Sequence, residues 1–486
     1  MHAHAGSIAI AALLALPAGV DADGGTTRHI ILFIGDGMNI EHEIAASRYL
    51  HGRDLALSFH GLPYQGNVAT WDVTTYNHWS GGRYDPQAIV PRYGYDPEQG
   101  GSKPYPLEPE PEGARDYLMA KATDSASAAT AWATGYKTDD GNIAWLPGDP
   151  QQGALETIAE TLRGQLGFAI GVVSSVPFSH ATPAAHMSHN VNRNNYQEIA
   201  TEIITRTRPE VVIGGGHPGC DGSPTYNFIS QEVYASARKG DYADYVFVER
   251  KTGEDGGANL LAAAQQAVAQ DKKLFGLFGR EKDGHFDSPR TYDLPGTPSV
   301  KAVTAENPTL AEATLAALKV LSRDRDGFFV MIERGDIDWA NHGNDFQRMV
   351  GTVADLDQAV AAAIDFVDQP GDDIDWDDTL LIVTADHGNS YMRNIARLPA
   401  GDLPRQEPVG NGYGYDPREV TYGSGTHTNE LTRLYARGAG SGLFQGYSRL
   451  WYGDAEILDN THLYHVMRDA AGIPSEPPLK INPTRP

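Results

Sequence analysis

The strongest constraint on this chain is a set of short, nearly uninterrupted apolar runs, most of them closed by glycine or an acid. They are HIILFIGDG (29–37), FAIGVVSS (168–175), EVVIGGG (210–216), FFVMIERG (328–335) and TLLIVTADHG (379–388). A strand with one wet face alternates apolar and polar residues. Runs without that alternation suit strands buried on both faces. Amphipathic helical patterns lie between them. NPTLAEATLAALKVLSRD has Pro308 just inside its start and sets Leu310, Ala313, Ala317, Leu318 and Leu321 on one face. TVADLDQAVAAAIDFVD does the same with Val353, Leu356, Val360, Ala363, Ile364 and Val367. Strands alternating with helices predict a three-layer α/β fold, a doubly wound and mostly parallel sheet with helices on both faces. Residues 23–486 read as one such domain. Two stretches break the pattern, 72–115 and 396–425, both rich in Gly, Pro and Tyr. They read as long loop insertions over the sheet edge or the rim of a site. The tripeptide YDP occurs at 84–86, 95–97 and 415–417, where turn chemistry accounts for it.

Charge and cysteine content exclude several classes. The 486 residues carry 38 Lys+Arg against 63 Asp+Glu, a net charge of -25. Such a chain offers little to neutralise nucleic-acid phosphates. The one cysteine, Cys220 in HPGCDG, rules out an intramolecular disulfide and sits in no thiol motif. Residues 1–22 read as a signal peptide: an apolar stretch from Ile8 to Leu16, then small residues up to a cut near Ala22. Its leading segment has histidines in place of the usual Lys or Arg. No later segment reaches the ~18 uninterrupted apolar residues of a spanning helix. The expected product is periplasmic or secreted, without a membrane span.

The candidate chemistry lies at the strand ends. Asp36, Glu333 and Asp386, the last followed by His387, close three of the apolar runs. In open α/β sheets ligands bind beyond the carboxyl ends of the strands. Carboxylates gathered there repel one another, so a cation is their natural partner. In GDIDWANHGND, Asp338 and His342 are four apart and share a face on a helix. With His387 and with His427 of GSGTHTNE they offer the nitrogen and oxygen ligands that suit zinc. Asp36, Glu333 and a threonine hydroxyl offer the oxygens that suit magnesium. SHATPAAHMSHNVNRNNY (179–196) adds His180, Thr182, His189 and Arg193. The arginine fork can hold two phosphate oxygens at once. Finally, ATDSASAATAWATG (122–135) predicts a helix of small residues with Asp124 and Ser125 at its start and Gly135 at its end.

These segments, in order, resemble the alkaline phosphatases of bacteria and animals. The matches are IGDGM (34–38), TDSASAATAWATGYKTDDG (123–141), HATPAAH and NVNRNNY (180–196), VMIERGDIDWANHGND (330–345), VTADHGN (383–389) and GTHT (425–428). The resemblance implies hydrolysis of phosphate monoesters through a phosphoserine intermediate, with two zinc ions and one magnesium ion. It implies Ser125 as nucleophile and Arg193 as the phosphate clamp. Asp338, His342 and His427 become ligands of one zinc, and Asp36, Asp386 and His387 of the other. Asp36 bridges to magnesium, which Thr182 and Glu333 complete. His180 reaches magnesium through water, and Asp124 orients Arg193 or nearby backbone. The pairing of His180 with Trp339 resembles some marine and cold-active bacterial members. It replaces an aspartate and a lysine of another branch, which implies looser phosphate binding. Inorganic phosphate is then product and inhibitor, and a homodimer is the expected assembly. The same superfamily includes phosphodiesterases and sulfatases, against which the DSAS segment and Arg193 weigh.

Overall fold

The computed structural model describes residues 26–219, 224–280, 284–371, 373–410 and 412–474. The expected signal peptide (1–22) and Cys220 lie outside them. Ten strands form one sheet: β1 (His29–Gly35), β2 (Tyr64–Ala69), β3 (Ala169–Pro177), β4 (Val211–Gly215), β5 (Tyr245–Glu249), β6 (Lys273–Leu277), β7 (Phe328–Arg334), β8 (Thr379–Thr384), β9 (Thr432–Gly438) and β10 (Ile457–Asp459). Their order is β10-β2-β9-β8-β1-β7-β3-β4-β6-β5. Only β9 runs antiparallel to its neighbours, β8 and β2. The other pairings are parallel. The five apolar runs form β1, β3, β4, β7 and β8, and all five sit side by side at the centre as β8-β1-β7-β3-β4.

The helices that matter here are α1 (Ile40–His51), α2 (Ser125–Thr134), α3 (Ala181–Met187), α4 (Gly256–Ala269), α5 (Leu310–Leu321), α6 (Asp336–His342), α7 (Phe346–Val367) and α8 (Thr461–Ala470). Alternate residues of β1 serve two cores. Ile31 and Phe33 pack with α1, α4, α5 and α7 on one face. Ile30, Leu32 and Ile34 pack with α2, α3 and α8 on the other. Each of these side chains is fully buried and stabilises the fold by about 1.5–3 kcal/mol. That double burial is why the run shows no alternation.

Two helix details differ from expectation. Pro308 lies outside α5, because Thr309 takes the cap position. The Glu312 N–H donates to the Thr309 hydroxyl at 3.2 Å, and the Thr309 N–H donates to the Glu312 carboxylate at 2.8 Å. This reciprocal cap sets the first helical residue at Leu310. On α7 the expected apolar face is buried except for Ile364, which is only partly covered.

The two insertions are more structured than loops. Residues 72–115 open with a helix, Val73–Ser80, and close over an aromatic cluster that includes Trp71, Tyr76, Tyr95 and Tyr117. Residues 396–425 carry a hairpin, Gln406–Val409 with Gly412–Tyr415. Each YDP aspartate accepts a hydrogen bond from the N–H two residues on: Gln87 to Asp85, Glu98 to Asp96, Arg418 to Asp416. These are Asx turns, so the motif is turn chemistry.

Candidate active site

The carboxyl ends of β1, β7 and β8 deliver Asp36, Glu333, Asp386 and His387 to one buried point. A tight turn after β1 brings α6 against it. Gly37 has φ +65, and a Cβ there would come within 2.7 Å of an Asp338 carboxylate oxygen. Its N–H donates to Asp386 Oδ1 at 2.8 Å. On α6, Asp338 and His342 do share a face, with His342 Nε2 3.0 Å from Asp338 Oδ2. His427 Nε2 lies 3.4 Å from Asp338 Oδ1. A two-residue ladder, Gly388–Asn389 with His427–Thr428, brings His427 beside His387; their rings stack 3.6 Å apart. His387 Nε2 is 3.1 Å from Asp386 Oδ2, 3.5 Å from Asp36 Oδ1 and 3.3 Å from Ser125 Oγ. Asp338, His342 and His427 form one group of converging ligand atoms, and Asp36, Asp338 and His387 a second. The pocket opens towards solvent on the His342 side.

Ser125 is the first residue of α2, and Asp124 is its cap, accepting from the Ser127 N–H at 2.9 Å. Every residue of α2 is buried; small side chains let it press against the sheet end. Free N–H groups at a helix start favour an anion there. Gly135 ends the helix in the left-handed region. Arg193 Nη1 donates to Asp124 Oδ2 at 2.8 Å. Burial works against ionisation of Asp124, but Arg193 and Ser127 hold its carboxyl down at about 2. His180 stacks on Tyr196 and meets Trp339 edge-on. Burial and then Arg193 push its imidazole down to about 3, so it is neutral.

The acids differ sharply. Burial, then Asp386, Asp338 and Glu333, drive Asp36 well above the ordinary carboxylate range. Burial also raises Glu333, partly offset by the Ser174 and Thr182 hydroxyls. Burial opposes ionisation of Asp338 too, but His427 and His342 hold it well below the usual value.

Two observations test whether these residues suit metal ions. Asp36 Oδ1, Asp386 Oδ2, Glu333 Oε1, Thr182 Oγ1 and His180 Nδ1 are buried without a well-formed hydrogen bond among the described residues. Such atoms are costly unless something else satisfies them. The three histidines also share one arrangement. Nδ1 of His342 meets the Gly425 carbonyl at 2.7 Å, that of His427 the Thr123 carbonyl at 2.9 Å, and that of His387 the Gly388 carbonyl at 3.2 Å. A carbonyl can only accept, so each Nδ1 carries a proton, and each Nε2, turned towards the acids, is the ring atom a metal ion would take. Metal-binding histidines are held this way. The residues fit the ions.

The structure brings together all the expected site residues and leaves one candidate out. His189 is held by Glu202 at 3.0 Å and Glu160 at 3.3 Å. It follows α3 and turns to these glutamates, while Arg193 further along returns to the site. Sequence reasoning missed Ser174, which donates to Glu333 Oε2, and Asn389, whose Nδ2 donates to Asp338 Oδ1 at 2.6 Å. Asn389 sits inside the VTADHGN segment and could have been flagged there. The carbonyls behind the histidines leave no sequence signal.

A sequence profile described as alkaline phosphatase matches residues 100–396. The chain is 28% identical to an alkaline phosphatase of Escherichia fergusonii, over 92% of this chain and 86% of that protein. In fold it is similar to the Thermus thermophilus alkaline phosphatase, with a TM-score of 0.60 and 21% identity over 96% of this chain and 97% of that one. It is also similar to the alkaline phosphatase from the Antarctic bacterium TAB5, with a TM-score of 0.58 and 21% identity over 92% and 98%. With the pocket's acids, histidines and capped serine in place, the chain belongs to the alkaline phosphatase family and is a phosphoric monoester hydrolase.

Proposed function

We propose that Ser125 Oγ attacks the phosphorus of a phosphate monoester, releasing an alcohol and leaving phosphoserine. Water then cleaves the phosphoserine, returning Ser125 and inorganic phosphate. Asp338, His342 and His427 would hold one zinc ion. Asp36, Asp386 and His387 would hold a second, and Asp36, Thr182 and Glu333 a magnesium ion. Bound there, the ions supply Lewis-acid stabilisation of phosphate oxygens and lower the pKa of the nucleophile and of water. The observation that carries this reading is the shared histidine arrangement, three rings held at Nδ1 by carbonyls with Nε2 turned onto buried acids.

The chain's own groups do the rest. The start of α2 offers its N–H groups to the incoming phosphate. Asp124 occupies Arg193 Nη1 and leaves the rest of the fork for two phosphate oxygens. Neutral His180, backed by Tyr196, is left to hold a water beside the magnesium ligands. The acids need cations before a dianionic substrate can approach, which accounts for activity in a chain of net charge -25. Export through residues 1–22 and a homodimeric assembly belong to the same proposal. Among the described residues, no helix is long and apolar enough to cross a membrane.

Ser125→Ala tests the core of it. The variant should bind zinc like the wild type and lose at least ~1,000-fold in kcat on an aryl phosphate. Retained turnover would remove Ser125 from the mechanism. A diester hydrolysed faster than a monoester would favour the phosphodiesterase reading instead.

A further inference from the structure

Much of the pocket hangs on α6, and α6 is a weak helix by itself. It has seven residues, and its cap residue, Gly335, has no side chain to bond the first turn. Helices this short are not stable alone. Yet α6 carries Asp338, Trp339 and His342.

A second buried cluster lies behind it. Arg334 follows Glu333 on β7 and, as strand alternation demands, faces the other way. It is 1% exposed. Its Nη2 donates to Asp336 Oδ2 at 3.3 Å and to the Asp287 carbonyl at 3.2 Å, its Nη1 lies 2.8 Å from Asp355 Oδ2 on α7, and its Nε lies 3.0 Å from Asp336 Oδ1 without a well-formed hydrogen bond. Asp336, the first residue of α6, is fully buried. It accepts from Ser175 Oγ at 2.8 Å and from Ser288 Oγ. Ser175 Oγ itself accepts from the Gly335 N–H at 3.0 Å, where the chain enters the helix. Arg348 of α7 completes the cluster, donating from Nε to Ser288 Oγ at 2.9 Å.

We propose that Arg334 is a positioning residue for the reaction: through Asp336 and Ser175 it fixes the start of α6 and so aims Asp338 and His342 at the metal. A buried ion pair adds little net stability over apolar packing, because desolvation cancels much of the attraction. What the planar fork does supply is direction. Asp338 lies two residues beyond Asp336, about 3 Å along the helix axis. A tilt at the first residue therefore passes directly to the ligand oxygens. This inference rests on the proposed zinc site.

The test follows zinc released from the zinc-loaded enzyme to an excess of a chromogenic chelator. The variants are Arg334→Gln, Arg334→Lys and Ser175→Ala, none of which touches a ligand atom. In Arg334→Gln, zinc should leave about 10- to 100-fold faster, with kcat falling more than KM changes. Arg334→Lys and Ser175→Ala should show smaller shifts in the same direction. Folded variants that melt lower but release zinc at the wild-type rate would reduce the cluster to packing and overturn the inference. If Arg334→Gln fails to fold, Ser175→Ala decides between the same two outcomes. Wild-type enzyme that takes up no zinc overturns the proposed metal centre itself, before any variant is compared.

Discussion

At the carboxyl ends of β3 and β7, adjacent residues build two polar regions that differ in one respect. Ser174 and Glu333 are register partners facing the pocket. Ser175 and Arg334, one residue on, serve the cluster behind α6. Behind α6, Asp336 and Asp355 are matched by Arg334 and Arg348. In the pocket, Asp36, Asp338, Asp386 and Glu333 converge, and the nearby arginine, Arg193, is paired with Asp124. The chain balances its charges where it needs scaffold and leaves acids in excess where a cation belongs. Burial alone does not separate scaffold from site; the charge ledger does.

Neutralising one acid on each side should therefore give opposite signs. The larger effect is behind α6. Asp336→Asn leaves buried Arg334 with less compensation and should cost about 3–5 kcal/mol in a denaturant titration. In the pocket, Asp36→Asn should stabilise the metal-free protein near neutral pH. The sign follows from its raised carboxyl pKa in the folded state. An acid bound more tightly to its proton when folded makes stability fall as pH rises above its unfolded value of 3.8. The amide removes that penalty. With zinc and magnesium added, the order should invert, because saturating ions stabilise the wild type by about 3 kcal/mol at a hundred times Kd and Asp36→Asn forfeits part of that gain. Equal losses from both variants without metal would erase the distinction.

Much of this was legible in the sequence, for physical reasons. Doubly buried strands announce themselves, because no position on them can be polar without cost; β1, β3, β4, β7 and β8 were readable for that reason. Strand-end acids were readable because the carboxyl edge of a parallel sheet gathers them. The Asp338–His342 pair was readable because helical spacing sets a shared face. Less visible was anything carried by backbone or by distant side chains. The Gly425, Thr123 and Gly388 carbonyls fix the histidine protons but belong to no motif. Arg334 sits inside a matched segment, ERGDID, yet its role depends on Asp355, Asp287 and Ser175, none of them near it in sequence. Residues 72–115 read as loop because Gly and Pro dominate, while their order comes from aromatic packing that periodicity does not register.

His189 is a third, smaller charge arrangement and the mildest test of the same contrast. It sits between Glu160 and Glu202 near the surface, with its side chain 16% exposed. Burial alone would lower its pKa, but the two carboxylates raise it to about 10. Because the folded value lies above the unfolded 6.5, its stabilisation is fully present below 6.5. It drains away as pH climbs through about 10. The wild type should therefore lose on the order of 1–2 °C of Tm over that range through this group, and His189→Gln should lose correspondingly less. Glu160 is 41% exposed, so salt should shrink the difference. The balanced cluster behind α6, shielded from solvent, should respond far less to the same salt. A wild-type and variant pair with identical Tm slopes against pH would show that the two glutamates hold His189 by geometry and not by charge.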